Sequence, residues 1–289
     1  MGAGLRGIIA AVPTPVGRGG RPDARRFLTH ARWCLDNGCD GLNVLGTTGE
    51  ANSLSIASRV FVMQAASSAL DASRMMVGTG TPDLATTVAL TRKAHAMGFG
   101  GALLLPPYYY KGLPDAAYFE WFAAIVRATA KAPIALYLYN FPQMTGIRFS
   151  PDLVHRLHEA FPSRVVGAKD SSGDLDYAAE LARIEGFDVF PSNEVAISRV
   201  DDGYAGCISA TVNVSAALAA ALWGDRTNMG LKEKLGRVRT QITAQPLIPA
   251  VKYLVAKIHD DEVYARVLLP QLPLQVQQKS ALDTIDYAL

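Results

Sequence analysis

The 289-residue sequence has few cysteines, little charge and no long hydrophobic run. Its three cysteines include no Cys-x-x-Cys pair, which argues against a disulfide scaffold or a zinc knuckle and favours a reducing compartment. The 28 basic and 26 acidic residues leave a net charge of +2 without a run of one sign, so neither nucleic acid nor a membrane surface is an expected partner. No window approaches ~18 consecutive apolar residues, and the N-terminal apolar stretch ends at Pro13, too early for a secretory signal. We therefore expect a cytoplasmic protein.

Short apolar runs are what the sequence has in quantity, and helical spacing separates them. Several runs are apolar throughout instead of alternating, which is typical of strands in a parallel sheet that is covered on both faces. The predicted strands are residues 8–12, 41–45, 75–78, 101–105, 134–139, 165–169, 188–190 and 207–210. The predicted helices are residues 25–37, 55–72, 84–97, 115–130, 152–160 and 177–184, with Asp115 and Asp152 as N-caps.

This alternation of strands and helices, complete by about residue 224, predicts an α/β fold, a closed (β/α)8 TIM barrel. The alternative is an open doubly wound sheet, which usually has a glycine-rich turn after its first strand. Here that turn is Pro13-Thr14-Pro15. Residues 225–289 indicate three helical stretches punctuated by prolines. We predict a barrel that carries the active site in residues 1–224 and a C-terminal helical extension in residues 225–289.

Polar side chains follow the predicted strands where the strands end, whereas the strands begin with apolar residues or glycine. Catalytic residues of such barrels lie at the carboxyl ends of the strands. The asymmetry therefore predicts an active site at this rim. The polar groups there are Gly46-Thr47-Thr48-Gly49-Glu50, Tyr139-Asn140, Lys169-Asp170, Ser192-Asn193-Glu194 and Ser209 to Thr211.

Lys169, one of nine lysines, closes an apolar run and is the first candidate nucleophile. On the inward face of a strand it is desolvated, which favours the neutral, reactive amine, and Gly167 on the same face leaves room beneath its stem. The alternative is a lysine that reaches solvent or pairs with Asp170, and position alone does not decide between the two. Tyr139 on the neighbouring strand is a candidate for proton transfer, or else a buried core tyrosine.

The segment from Gly46 to Gly49 has two hydroxyls between glycines. Such a turn presents hydroxyl and backbone N–H groups to a carboxylate or a phosphate. The three tyrosines at 108–110 favour a protein interface or a loop anchor. The five histidines show no metal-ligand spacing, and neither a phosphate-binding loop nor a dinucleotide loop is present.

In order and spacing, the motifs resemble those of the class I, pyruvate-dependent aldolase superfamily typified by dihydrodipicolinate synthase and N-acetylneuraminate lyase. The resemblance covers most of the chain. It rests on Thr14-Pro15, Gly46-Thr47-Thr48-Gly49-Glu50, Pro107-Tyr108-Tyr109, Tyr139-Asn140-Phe141-Pro142, Gly167-Ala168-Lys169-Asp170 and Gly206-Cys207-Ile208-Ser209.

The resemblance implies a role for each of these residues. Lys169 would form a Schiff base with a 2-keto acid, and Tyr139 would move protons at the reacting atoms. Thr47 would link Tyr139 into a relay that Tyr109 completes from a neighbouring subunit of a homotetramer, a dimer of dimers. Three further residues would surround the keto acid: Thr48 with the loop around Gly46 at its carboxylate, and Ile208 at its flank. The partners would then be a small keto acid and an aldehyde, with no cofactor beyond the covalent Schiff base.

Departures from the pattern bear on the substrate. Dihydrodipicolinate synthases usually carry an arginine where this chain has Met144, and a methionine cannot bind a carboxylate in a bidentate way. Ser192-Asn193-Glu194 replaces Ser-Gly-Asp and suits polyol hydroxyls. We therefore predict an aldolase for a 2-keto-3-deoxy sugar acid. The alternatives are dihydrodipicolinate synthase or a related dehydratase or hydratase-aldolase, and, in another class, a non-catalytic regulator that binds keto acids.

Overall fold

The computed structural model describes residues 4–289, and its centre is a barrel of eight parallel strands. The predicted barrel segment 1–224 thus begins with three residues that lie outside the described part. The strands are β1 (Gly7–Ala11), β2 (Gly41–Val44), β3 (Met75–Gly78), β4 (Gly101–Leu104), β5 (Leu136–Asn140), β6 (Val165–Asp170), β7 (Asp188–Pro191) and β8 (Gly206–Ser209).

The strands hydrogen-bond in the order β7-β6-β5-β4-β3-β2-β1-β8. At the remaining seam the Ala205 N–H donates to the Val189 carbonyl at 3.0 Å, which brings β8 beside β7. The predicted TIM barrel with C-terminal helices is confirmed. Each predicted strand is present, and its ends are displaced by two residues at most.

Helices surround the barrel and continue beyond it. Those between or after the strands are α1 (Ala24–Asp36), α2 (Ile56–Ala69), α3 (Leu84–Ala96), α4 (Asp115–Ala128), α5 (Pro142–Thr145), α6 (Pro151–Ala160), α7 (Leu175–Ala182) and α8 (Val212–Gly224). The C-terminal part contains α9 (Met229–Thr243), α10 (Leu247–Ile258) and α11 (Val276–Leu282), as expected from its three helical stretches. The four residues of α5 are too few to show helical periodicity in a sequence.

Two predicted helix caps are wrong. Asp115 and Asp152 lie within the first turns of α4 and α6, and the capping positions are Pro114 and Ser150. The Ser150 hydroxyl accepts from the Leu153 N–H at 3.0 Å, which leaves Asp152 without that function. In the first turn an aspartate still stabilises a helix, because its charge complements the helix dipole.

The barrel interior is packed with side chains from alternate strand positions. Among them, the ring of Tyr137 on β5 lies against Gly101 and Gly167 of the two neighbouring strands. A Cβ atom at either glycine would approach the ring to 2.7 or 2.9 Å. Gly167 therefore accommodates Tyr137, and the space predicted beneath Lys169 is filled by this ring. Burial raises the pKa of Tyr137 to about 12.

Within residues 4–289, no helix has the length and apolar character needed to cross a membrane. The same residues contain no group of three or more His, Cys, Asp or Glu side chains arranged to hold a metal ion.

Candidate active site

Lys169 and Tyr139 lie opposite each other on β6 and β5. Both are almost fully buried, with 4% and 3% of their surfaces exposed. The Lys169 Nζ lies 4.5 Å from the centroid of the Tyr139 ring, within the range of a cation–π contact. The parallel register thus places an amine and a phenol side by side inside the barrel.

The predicted alternative partner of Lys169, Asp170, points away from it. Its carboxylate accepts from the Asn140 amide at 2.6 Å and from the Ser172 hydroxyl at 2.8 Å. Burial raises the pKa of Asp170, and these two hydrogen bonds act in the opposite direction. Because no side chain within residues 4–289 forms an ion pair with Lys169, its amine is available to a substrate.

The loop after β2 brings two threonines to the same place. The Thr47 hydroxyl lies 3.2 Å from the Tyr139 hydroxyl, so either can donate a hydrogen bond to the other. Thr48 is buried next to it. A Cβ atom at Gly46 would lie 2.5 Å from the Asn43 Oδ1, so a larger residue there would displace this buried amide.

A cavity of about 290 Å³ opens at the carboxyl ends of the strands. It brings together seven of the predicted site residues: Thr47, Thr48, Tyr139, Met144, Lys169, Ser192 and Ile208. Its other lining residues are Phe141, Ser171, Ala210, Thr211, Arg239, Pro246, Leu247, Ile248 and Gln271.

Two residues predicted to contact a sugar hydroxyl do not reach this cavity. The Asn193 side chain accepts from the Val195 N–H at 3.0 Å and caps a short 3-10 helix, Glu194–Ser198. Glu194 is fully buried behind the wall, where its carboxylate accepts from Ser209 at 2.6 Å. The 3-10 helix directs both side chains away from the opening. We therefore correct the prediction for Asn193 and Glu194: they stabilise the structure around the pocket and do not contact the substrate.

Two further predicted residues also lie outside the cavity. Gly46 lines a separate space of about 20 Å³ beside Tyr139. Tyr109 is 74% exposed on the loop after β4, next to the exposed Tyr110. Within one chain, Tyr109 therefore makes no contribution to the pocket.

The C-terminal helices supply part of the pocket that the sequence did not indicate. Arg239 on α9 lines the cavity, and its Nη1 donates to Glu194 at 2.6 Å and to the Ser192 carbonyl at 3.1 Å. Ile248 on α10 and Gln271 line it as well. The prediction that residues 1–224 carry the whole site was thus incomplete. No local motif marks these residues, because only the packing of the helices on the barrel brings them to its rim.

A larger groove, about 950 Å³, lies elsewhere, between α6 and α7. Two of its arginines form ion pairs within the groove. Arg148 pairs with Asp174 at 2.8 Å and Arg199 with Asp176 at 3.1 Å. No strand end opens into it, so the smaller cavity with Lys169 is the candidate active site.

The sequence matches the Dihydrodipicolinate synthetase family over residues 4–287. The chain belongs to this family. Its members are lyases and aldolases, the superfamily predicted from the motifs, and they characteristically react through a Schiff base on a lysine. This family member is therefore an enzyme of that type, which weighs against a non-catalytic regulator.

Related proteins align with this aldolase over almost its whole length. A 4-hydroxy-tetrahydrodipicolinate synthase from Mesorhizobium japonicum is 32% identical, over 99% of this chain and 97% of that protein. A dihydrodipicolinate synthase from Agrobacterium tumefaciens is 29% identical, has a TM-score of 0.89, and matches over 96% of this chain and 99% of its own. A 2-keto-3-deoxygluconate aldolase variant from Sulfolobus solfataricus, 19% identical over 96% and 93% of the two chains, has a TM-score of 0.86 and shows the shared fold alone.

Proposed function

We propose that this enzyme interconverts a 2-keto-3-deoxy sugar acid with pyruvate and an aldehyde through a Schiff base on Lys169. The observation that carries the proposal is the position of the Lys169 amine: buried, without an acidic partner among the described residues, and beside Tyr139 in the wall of the cavity. A lysine amine in its neutral form is a nucleophile towards a ketone carbonyl.

The chemistry follows from these neighbours. The Lys169 amine attacks the C2 carbonyl, Tyr139 protonates the departing hydroxyl, and water leaves to give an iminium. The iminium accepts the electron pair of the C3–C4 bond as that bond breaks, while the Tyr139 phenolate takes the proton of the C4 hydroxyl. The aldehyde departs, Tyr139 delivers the proton it has just taken up to C3 of the enamine, and hydrolysis of the resulting iminium releases pyruvate and Lys169.

The threonine loop supports this sequence at two points. Thr47, at 3.2 Å from the Tyr139 hydroxyl, can pass protons to and from the phenol. Thr48, together with the N–H groups of the turn, is suited to hold the keto-acid carboxylate.

The other end of the cavity supports a hydroxylated substrate. Met144 is 61% exposed at its edge and carries no charge. Arg239 is neutralised by Glu194, and its Nε and Nη2 make no hydrogen bond with residues 4–289, so N–H groups are left for hydroxyl oxygens. Ser192 and Gln271 add further polar groups.

A second candidate is the condensation of pyruvate with aspartate semialdehyde. It is favoured by the name of the relative from Mesorhizobium japonicum, which is 32% identical. The two candidates differ in what the distal end of the pocket must bind: a chain of hydroxyls, or a charged carboxylate. Pyruvate release from 2-keto-3-deoxygluconate, compared with consumption of the semialdehyde, separates them. Efficient condensation with the semialdehyde would contradict the sugar-acid proposal.

Reductive trapping tests the mechanism. The enzyme is incubated with pyruvate and borohydride, digested, and its peptides are weighed. We expect one adduct, on Lys169, and none in Lys169→Ala. A matched control is Lys93→Ala, because Lys93 is exposed on α3 and far from the strand ends. An adduct on another lysine, or turnover by Lys169→Ala, would show that the mechanism is wrong.

We also propose that the enzyme acts as a homotetramer in which Tyr109 approaches Tyr139 of a neighbouring subunit. Tyr109 and Tyr110 form an exposed aromatic pair with ring centroids 5.3 Å apart, and such patches favour protein contacts. Light scattering tests the assembly, and Tyr109→Phe tests the hydroxyl. A fully active monomer would contradict both parts of the proposal.

A further inference from the structure

The loop that presents Thr47 and Thr48 has a strained backbone at both ends. Leu45 before it and Glu50 after it have φ values of 55° and 51°, in the left-handed region that non-glycine residues rarely adopt. Such conformations persist when the surrounding structure imposes them, and they concentrate at functional sites. Contacts with other parts of the protein must therefore stabilise this loop conformation.

The side chain of Glu50 connects the loop to two other segments. One carboxylate oxygen pairs with the Lys252 ammonium group, and the other accepts from the Leu268 N–H at 2.6 Å. Lys252 also donates to the Thr14 carbonyl at 3.1 Å, and the Thr14 hydroxyl donates to the Gly49 carbonyl at 2.8 Å. The contacts among Glu50, Lys252, Thr14 and Gly49 form a closed ring of hydrogen bonds at the end of the loop.

The two anchoring segments also line the pocket. Lys252 lies one turn beyond Ile248 on α10, and Leu268 lies three residues before Gln271. A further hydrogen bond, from the Ser53 hydroxyl to the Leu269 carbonyl at 3.0 Å, connects the same segment to the chain after the loop. The Glu50 carboxylate therefore connects the threonine loop with the C-terminal segments that line the other side of the pocket.

The ion pair is shielded from water, since Lys252 is fully buried and Glu50 nearly so. Burial lowers the pKa of Lys252, and the charge of Glu50 opposes this effect. Removing two charges from water is unfavourable, and a well-packed apolar pair often gives equal or greater stability. A stabilising role alone accounts poorly for such a pair, whereas a geometric role accounts for its two directed hydrogen bonds.

We propose that Glu50 is a positioning residue, which, held by Lys252, sets the threonine loop against Lys169 and Tyr139 and fixes the segment that carries Gln271. This inference rests on the proposed reaction at Lys169. Glu50 contacts no substrate. It acts through Thr47, Thr48 and the Gln271 segment.

Borohydride trapping of pyruvate gives the readout, measured as a rate over a range of pyruvate concentrations. Glu50→Asp keeps the charge but is one methylene too short to reach both partners. Glu50→Gln combined with Lys252→Met removes both charges together, so neither remains buried alone. The Glu50→Asp variant and the double variant should each slow trapping on the order of 10- to 100-fold, because small displacements of catalytic groups have effects of this size. Each should also raise the half-saturating pyruvate concentration.

Leu254→Ala is the control, because Leu254 is buried on the same helix and does not line the cavity. It should lower the melting temperature yet leave trapping within about twofold of wild type, since a core deletion acts on stability. Circular dichroism at the assay temperature verifies that each protein is folded.

Each outcome decides the matter. A folded Glu50 variant that traps pyruvate at the wild-type rate and half-saturation overturns the positioning role. So does loss of folding in both Glu50 variants while Leu254→Ala stays folded, since the pair is then structural. Wild-type enzyme that yields no adduct contradicts the proposed reaction itself. An adduct in wild type with unaffected Glu50 variants contradicts the positioning role alone.

Discussion

Acid should destabilise this protein through one buried histidine, His30 on α1. Its Nε2 lies 3.0 Å from the Asn213 Oδ1, and its Nδ1 lies 3.0 Å from the His259 Nε2. The Asn213 amide nitrogen donates to the Ala11 and Ala210 carbonyls, both at 2.8 Å, so its oxygen must accept. His30 therefore carries its proton on Nε2, and Nδ1 accepts from His259. A second proton on His30 would oppose that contact.

The size of the effect follows from the shift in acidity. Burial lowers the pKa of His30 from 6.5 to about 3, with a smaller contribution from His259, while the Asn213 contact acts against it. Between these two values the unfolded chain binds more protons than the folded one, so stability falls as the pH decreases below 6.5. At pH 5 the loss from this group is about 2 kcal/mol. Burial lowers the pKa of His259 as well, which acts in the same direction.

Other groups oppose the trend, so a variant is needed to isolate it. Burial raises the pKa of Asp170 and Asp188. A carboxyl whose pKa is higher in the folded than in the unfolded chain increases stability as the pH falls towards the pKa of the unfolded chain. Comparison with His30→Gln cancels these contributions. Glutamine can still donate to Asn213 and accept from His259, but it does not titrate.

Urea unfolding at pH 7.5 and pH 5 provides the measurement. Wild type should lose about 2 kcal/mol more unfolding free energy between these values than His30→Gln does. His95→Gln is the matched control, because His95 is exposed on α3, and it should behave like wild type. An equal loss in wild type and His30→Gln would refute the reasoning.

Three further predictions concern the pocket and the core. Thr47→Val should lower kcat on the order of 10- to 100-fold with little change in KM, because a proton relay acts on the chemical step; unchanged kcat contradicts the relay. Met144→Arg should lower KM for aspartate semialdehyde on the order of tenfold through a charge-assisted contact, measured by condensation kinetics; if both activities stay the same, this position does not select the substrate. Phe122→Ala should lower the free energy of unfolding, measured in urea, by about 3–5 kcal/mol. The Phe122 ring is buried, and its centroid lies 5.6 Å from that of the Phe149 ring. A loss below about 1 kcal/mol would mean that the core relaxes around the deleted ring.

The strands, and the pairing of Lys169 with Tyr139, were predictable because the signals are local. Apolar runs mark the strands, and the barrel topology requires their carboxyl ends to meet. A lysine at the end of one strand and a tyrosine at the end of the next are then neighbours without further information. The observed register pairs the two residues directly.

The direction of side chains beyond the strand ends was not predictable in this way. Glu194 follows β7 closely, yet the short helix that starts there directs its carboxylate into the wall, towards Arg239. The space beside Gly167 is filled by the Tyr137 ring of the neighbouring strand β5. Arg239 reaches the cavity through the packing of α9 on the barrel, and Gln271 reaches it from the irregular segment before α11. The sequence contains no repeating signal for either contact.

The dependence of the pocket on α10 and the segment after it has a consequence for synthesis on the ribosome. All eight strands end by Ser209, so a nascent chain can contain the complete barrel while Ile248, Lys252 and Gln271 have yet to be translated. At that stage Glu50 has no counter-charge and the cavity lacks a wall. Folding begins from the N-terminal part during translation. The newly made enzyme therefore acquires its finished pocket only after its C-terminal helices leave the exit tunnel.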